Sequence, residues 1–174
     1  MRDPLANPEP LIRRVYSYVA YRLGDGPEAE DVTSEIFERA LRYRRSYDES
    51  RGQPVPWLLG IARRCVDDAH RARAASASGE PADEPVGGDL ADDVVRRLGL
   101  ARAIESLDER DRDLLALRYG ADLTAREIGR ILGMKTNAVE VALHRTMKRL
   151  REDLEEPTEG GRAARPDPAP EVTP

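Results

Sequence analysis

Lys135, Arg145, Lys148, Arg149 and Arg151 crowd one short stretch of this chain, opposed within it by Glu140 alone. Ammonium and guanidinium groups gathered in this way suit phosphate oxygens, and the polar side chains among them, Thr136, Asn137 and His144, can hydrogen-bond base edges. The chemistry suggested is non-covalent recognition of a nucleic acid. The whole chain carries a formal charge of −5, so attraction to a polyanion must come from such patches rather than from the net charge.

Two short helices must position these groups. Thr124 stands three residues before Glu127, the spacing at which a hydroxyl and a carboxylate cap a first turn reciprocally. Ile128, Ile131 and Leu132 form the apolar stripe of the helix that follows, and Gly133 supplies the positive φ of a sharp turn. Thr136 or Asn137 can cap the second helix. Val139, Leu143, Met147 and Leu150 recur at helical spacing, so that face packs inward, while Glu140, His144, Arg145, Lys148 and Arg149 occupy the other. Any two-helix hairpin of an α-bundle would show capping, a glycine and periodicity. The order of short helix, glycine and basic helix is more specific, and it favours a helix-turn-helix reader of DNA.

With 174 residues, 35% of them charged and 5% aromatic, the chain can hold one ordinary domain or two small ones, but no large enzyme core. No apolar run reaches the roughly 18 residues of a membrane span. No charged-then-apolar leader follows Met1. A cytoplasmic protein without membrane insertion is therefore expected. The single cysteine, Cys65, excludes an internal disulfide, and its place in an apolar helical stripe reads as a buried structural thiol. No zinc-ligand spacing occurs, so neither a metal nor a cofactor is expected.

The fold class expected is all-α, with two small helical domains joined by a flexible acidic linker and the second domain ending in the helix-turn-helix. Residues 74–93 carry Glu80, Asp83, Glu84, Asp89, Asp92 and Asp93 among small residues, Pro and Gly, with no Lys or Arg. That composition buries too little to order itself and reads as the linker. Residues 154–174, rich in Pro and Gly, read as a disordered tail. In residues 1–73, Leu11, Val15 and Val19 mark a first helix ended by Gly24. Pro27, Glu28, Glu30 and Asp31 open a second, whose apolar face of Val32, Ile36, Phe37, Ala40 and Leu41 continues to about Arg44. After a loop holding Tyr47, Gly52, Pro54 and Pro56, a third helix is expected to begin near Trp57. Its core stripe is Trp57, Leu58, Ile61, Ala62, Cys65 and Ala69, and its outer face is Arg63, Arg64, Asp67, His70, Arg71 and Arg73. In residues 94–153, Leu90 just before, then Val94, Leu98, Ala101 and Ile104 suggest one helix. Asp108 can cap the next, which runs through Leu114, Leu115 and Leu117 to Gly120.

Laid out this way, the chain resembles a bacterial extracytoplasmic-function sigma factor, the class reduced to the region-two and region-four domains. AEDVTSEIFERAL (29–41) is similar to region 2.2, WLLGIARRCVDDAHR (57–71) to regions 2.3 and 2.4, and SLDERDRDLLALRYGADLTAREIGRILGM (106–134) followed by LHRTMKRLRE (143–152) to region 4. The resemblance implies a non-enzymatic initiation factor that binds core RNA polymerase and carries it to promoter DNA. Asp31, Ser34, Glu35 and Arg39 would dock on the polymerase clamp, with charge pairing at the rim of that interface. Tyr47, Arg63, Arg64, Arg71 and Arg73 would engage the minus-ten element, where unstacked bases need aromatic or polar pockets and the backbone needs Arg. Trp57 is assigned to the core. Lys135, Thr136, Asn137, Glu140, Val141, His144 and Arg145 would face the major groove of the minus-thirty-five element, with Arg126, Lys148 and Arg149 on its backbone. An anti-sigma protein is a further expected partner. The acidic linker would thread basic polymerase channels, or serve only as a soluble tether.

The chain departs from the family pattern at Ser34 (often Gln), Arg64 (often Asn), Glu140 and Ala142 (both often basic). A carboxylate at Glu140 can accept from cytosine but repels phosphate, which means either a different base preference or weaker minus-thirty-five binding. Three other readings compete. One is a stand-alone helix-turn-helix regulator, which would need a sensor or receiver in the first half. Another is a sigma-like protein inactive as an initiator. The third is an enzyme with a metal held by Asp67, Asp68 and His70, for which no partner cluster exists elsewhere in the sequence.

Overall fold

The computed structural model describes residues 3–76, 99–100, 102–104 and 106–155, and every regular element among them is helical. The first half contains α1 (Pro8–Leu23), α2 (Pro27–Tyr43) and α3 (Pro54–Ser76), with two single 3₁₀ turns, Arg44–Ser46 and Glu49–Arg51, between α2 and α3. The second contains α4 (Glu109–Leu115), α5 (Ala125–Leu132) and α6 (Thr136–Glu155). Leu90, Val94, Leu98, Ala101, most of the expected linker and nearly all of the expected tail lie outside the described residues.

Local chemistry sets most of the boundaries. Pro8 and Pro27 open α1 and α2 in the first turn, where an amide hydrogen would have no helical partner anyway. Gly24, at φ +94°, ends α1. α3 starts at Pro54, three residues before the expected Trp57, because Pro54 and Pro56 both fit a first turn. It then continues through Ala74 and Ala75 to Ser76, since alanine favours helix. Asp108 caps α4 by accepting from the Asp111 N–H at 2.8 Å. α4 runs into one π-helical turn, Ala116–Gly120, closed by the Ala121 N–H donating to the Ala116 carbonyl at 2.9 Å.

One core crosses both halves of the chain. Val15, Tyr18 and Val19 of α1, Ile36 of α2 and Leu58, Leu59 and Val66 of α3 are fully buried in the same cluster as Leu114, Leu117, Leu123, Ile128 and Val139. α1 packs against α2, α3 and the π turn, and α3 also touches α5. Gly120 allows the close approach: a Cβ there would stand 3.0 Å from the Ser17 carbonyl oxygen and 3.1 Å from the Tyr18 Cα. A smaller cluster of Ala103, Leu107, Leu115 and Leu150, with Ile104, Leu143 and Met147 packed on it, holds α6 against α4.

Candidate nucleic-acid interface

The helix-turn-helix is built as its residues dictate. The Glu127 N–H donates to Thr124 Oγ1 at 3.3 Å, and the Thr124 N–H donates to Glu127 Oε2 at 2.9 Å, completing the capping box. Burial would push the Glu127 carboxyl up, but these bonds outweigh it and hold the group below its ordinary value. Gly133 sits in the left-handed region at φ +66°. Gly129, which the sequence pattern does not single out, is as important. A Cβ there would lie 2.5 Å from the Met134 carbonyl oxygen, so only glycine lets the turn fold back on α5. α6 begins at Thr136, which makes Thr136 and Asn137 its first residues rather than its cap. The Lys135 carbonyl instead accepts the first helical bond, from the Val139 N–H at 3.1 Å.

Val139, Thr146 and Leu150 are buried, with Leu143 and Met147 partly so. The opposite face of α6 is open. Thr136, Asn137, Glu140, Val141, His144, Arg145 and Lys148 are all exposed along it, preceded by exposed Lys135, and Arg126 is exposed on α5. Lys148 bridges to Glu152 at 3.5 Å, a surface pair worth little. Arg149 is turned aside, its Nη1 donating to Asp111 Oδ2 of α4 at 3.0 Å. Glu140 makes no ion pair among the described residues, so its carboxylate stands unmasked within the basic face.

Of the expected minus-ten residues, Tyr47, Arg63 and Arg64 line one groove, and Arg71 and Arg73 are not among the residues that line it. Tyr47 is buried, its hydroxyl donating to the Gly52 carbonyl at 2.7 Å and its ring 5.6 Å from that of Trp57 at a tilt of 59°. It braces the loop instead of offering a free ring. Trp57, half-buried and packed on the core, donates from Nε1 to Ser46 Oγ at 3.3 Å. Arg64 is exposed in a groove of about 750 Å³ whose wall also includes Arg63, Arg130 and Ile131. Arg71 is held on Asp68 at 2.7 Å, and Arg73 on Glu28. Arg63 and His70, read from the sequence as outer-face residues, are half-buried toward the second half. Burial, and the Arg22 guanidinium nearby, hold His70 below its ordinary value.

On α2, Asp31, Ser34 and Glu35 are exposed. Ser34 Oγ donates back to the Glu30 carbonyl at 3.0 Å, and Arg39 is shared between Glu35 at 2.5 Å and Asp68 at 3.3 Å. Asp68 is therefore occupied by two guanidinium groups. Cys65 is buried, and burial raises its thiol above the ordinary range, as befits a packing residue.

Residues 9–76 match sigma-70 region 2 and residues 97–150 match sigma-70 region 4. The ECF RNA polymerase sigma factor SigK of Mycobacterium ulcerans (strain Agy99) is 31% identical over 150 residues, covering 82% of this chain and 80% of SigK. The chain belongs to the ECF sigma factors. SigD of Mycobacterium tuberculosis (strain H37Rv) is also 31% identical, over 169 residues that cover 88% of this chain and 76% of SigD. In fold, this sigma factor resembles the sigma factor RpoE of Bartonella quintana, solved in complex with the anti-sigma factor NepR. The TM-score is 0.65 at 18% identity, covering 84% of this chain and 92% of that one. An ECF sigma factor directs promoter recognition by RNA polymerase and is not an enzyme. A stand-alone regulator would leave the region 2 match over residues 9–76 unexplained. No described helix of this sigma factor is long and apolar enough to cross a membrane.

Proposed function

We propose that three surfaces divide the work of this sigma factor. The α2 face of Asp31, Ser34, Glu35 and Arg39 docks on core RNA polymerase. The loop of Tyr47 and the helix α3, with Arg63, Arg64, Arg71 and Arg73, hold the minus-ten element. The exposed face of α6 reads the minus-thirty-five element through Lys135, Thr136, Asn137, Glu140, Val141, His144 and Arg145, with Arg126, Lys148 and Arg149 flanking on phosphates. The observation that best supports this reading is the α6 face itself, a continuous exposed strip of base-reading and basic side chains directly after a glycine turn. An anti-sigma protein is a further partner, in keeping with the complex in which the similar RpoE was solved. The site of action is the cytoplasm, where polymerase and promoters are.

The experiment is co-elution of the purified chain with core polymerase, followed by run-off transcription from promoter fragments. Binding and a defined transcript are expected. Joint replacement of Asp31 and Glu35 by Ala should weaken co-elution while the circular dichroism spectrum stays the same. A chain that never co-elutes with core refutes the reading.

A further inference from the structure

Glu140 is the only acidic residue between Thr136 and Lys148, and the helix that carries it gains nothing from it. The first turn of α6 holds no acid, and Glu140 stands fifth in the helix, beyond the turn where a carboxylate is favoured by the helix dipole. Four positions on, where a lysine or arginine would pair with it, stands His144. Lys148 turns to Glu152 at 3.5 Å and Arg149 to Asp111 at 3.0 Å, and Glu140 makes no ion pair among the described residues. Its charge therefore opposes the attraction of phosphates to Lys135, Arg145 and Lys148 without stabilising the fold. Its place on the helix gives it a use. Asn137, Glu140, Val141 and His144 are all exposed and stand at i, i+3, i+4 and i+7, the spacing at which a helix lying in the major groove presents side chains to base edges. Buried Val139, Thr146 and Leu150 hold the reverse side of α6 inward, so this stripe points away from the body.

We infer that Glu140 is a specificity-determining residue, and that it selects a cytosine in the minus-thirty-five element. The inference rests on the reading of α6 as the minus-thirty-five reader given above. A carboxylate only accepts hydrogen bonds. In the major groove, cytosine offers its N4 amino group, a donor with no acceptor beside it. Guanine offers N7 and O6 and thymine offers O4, all acceptors that would face the carboxylate oxygens with water excluded. Adenine has a donor at N6 but sets the acceptor N7 beside it, which suits a side-chain amide better than a carboxylate. The selection thus comes from repulsion as much as from attraction, since a wrong base leaves a desolvated charge opposed. The same charge weakens the hold on phosphates for every sequence alike. Only a fragment with cytosine at the right position offsets that loss, which widens the gap between the matched site and all others.

The test uses the full chain assembled with core polymerase, and promoter fragments whose minus-thirty-five segment is randomised. The parent should retain fragments in which one position is fixed as cytosine. Changing that base pair so that guanine or thymine takes the place of cytosine should lower affinity roughly 5- to 150-fold. Glu140→Ala should relax that position and no other. Glu140→Gln, of the same shape, should move the preference toward adenine, whose N6 and N7 an amide meets with two bonds. The ratio of affinities for cytosine and guanine fragments is the deciding readout. A carboxylate that merely repels phosphates changes every fragment by one factor and leaves that ratio unaltered. If the parent and Glu140→Ala retain the same bases, or if the relaxed position is not a cytosine, the inference is overturned and the minus-thirty-five reading stands. A parent complex that retains no fixed position in the segment overturns that reading and this inference with it.

Discussion

Tyr18 shows how much one hydroxyl does here. It is fully buried, and burial, with the Asp113 carboxylate beside it, raises its phenol well above the ordinary range, so it remains a donor at any physiological pH. Tyr18→Phe keeps the ring but removes one of three donors to a buried charge, which should lower stability by about 2 kcal/mol in urea titrations. Glu127 offers a pH signature. Its folded carboxyl titrates below the ordinary glutamate value of 4.5, so the unfolded chain takes up the proton first as pH falls. The cap's contribution is then complete above pH 4.5 and is lost as pH drops through the lower folded value. Glu127→Gln should flatten the acid limb of the stability profile, and Thr124→Ala should cost about 1 kcal/mol at neutral pH. Glu140→Lys asks whether the unmasked carboxylate faces DNA. If it does, binding to a minus-thirty-five duplex tightens and the salt slope of log K grows by about one ion. An unchanged slope would place the side chain away from the phosphates.

At the scale of the element, the turn between α5 and α6 depends on two glycines for different reasons. Gly133 needs a left-handed φ, which costs an L side chain about 1–2 kcal/mol. Gly129 needs empty space, and Gly129→Ala puts a methyl group 2.5 Å from a backbone oxygen that cannot swing away. Gly129→Ala should therefore destabilise at least as much as Gly133→Ala and should abolish minus-thirty-five binding by shifting α6, as duplex titrations would show. Gly133 and the Thr124–Glu127 box were legible in the sequence because caps and positive-φ turns are local. Gly129 was not, since its constraint comes from the returning chain. α3 shows the same limit. A helical stripe picks out one buried face, and it found Leu58, Ala62 and Cys65. Leu59 and Val66 are buried as well, and Arg63 and His70 half so, because α3 has neighbours in both halves of the chain. Asp113 looked like one more acid in a charged segment, and nothing in its spacing pointed to Tyr18 or Arg22, 95 and 91 positions away. The apolar face of α2 was read only in part: Val32, Ile36 and Ala40 are buried and Phe37 packs on the core, but Leu41, placed on the same face, is exposed. The open face of α6 could be read because that helix packs on one side only.

For the whole molecule, two halves that share a core ought to unfold together. The seam buries Tyr18 and Leu117 and seats Asp113 among three donors, so parting it in water exposes apolar surface from both halves at once. Trp57, the single tryptophan, reports on the first half through its packing beside Tyr47, while far-UV circular dichroism reports every helix in the chain. In urea the two signals should trace one coincident transition in the parent protein, the signature of a single cooperative unit. Asp113→Ala leaves Arg22 buried without its main partner, a loss of about 3–5 kcal/mol for a broken buried pair. If this cluster is what holds the halves together, the variant's signals should separate. Circular dichroism would then fall in two steps, and the Trp57 transition would coincide with only the one that belongs to the first half. Coincident curves in both proteins would mean that the apolar part of the seam, not the charge cluster, holds the halves together. Separate curves in the parent would mean that they are not joined in solution at all.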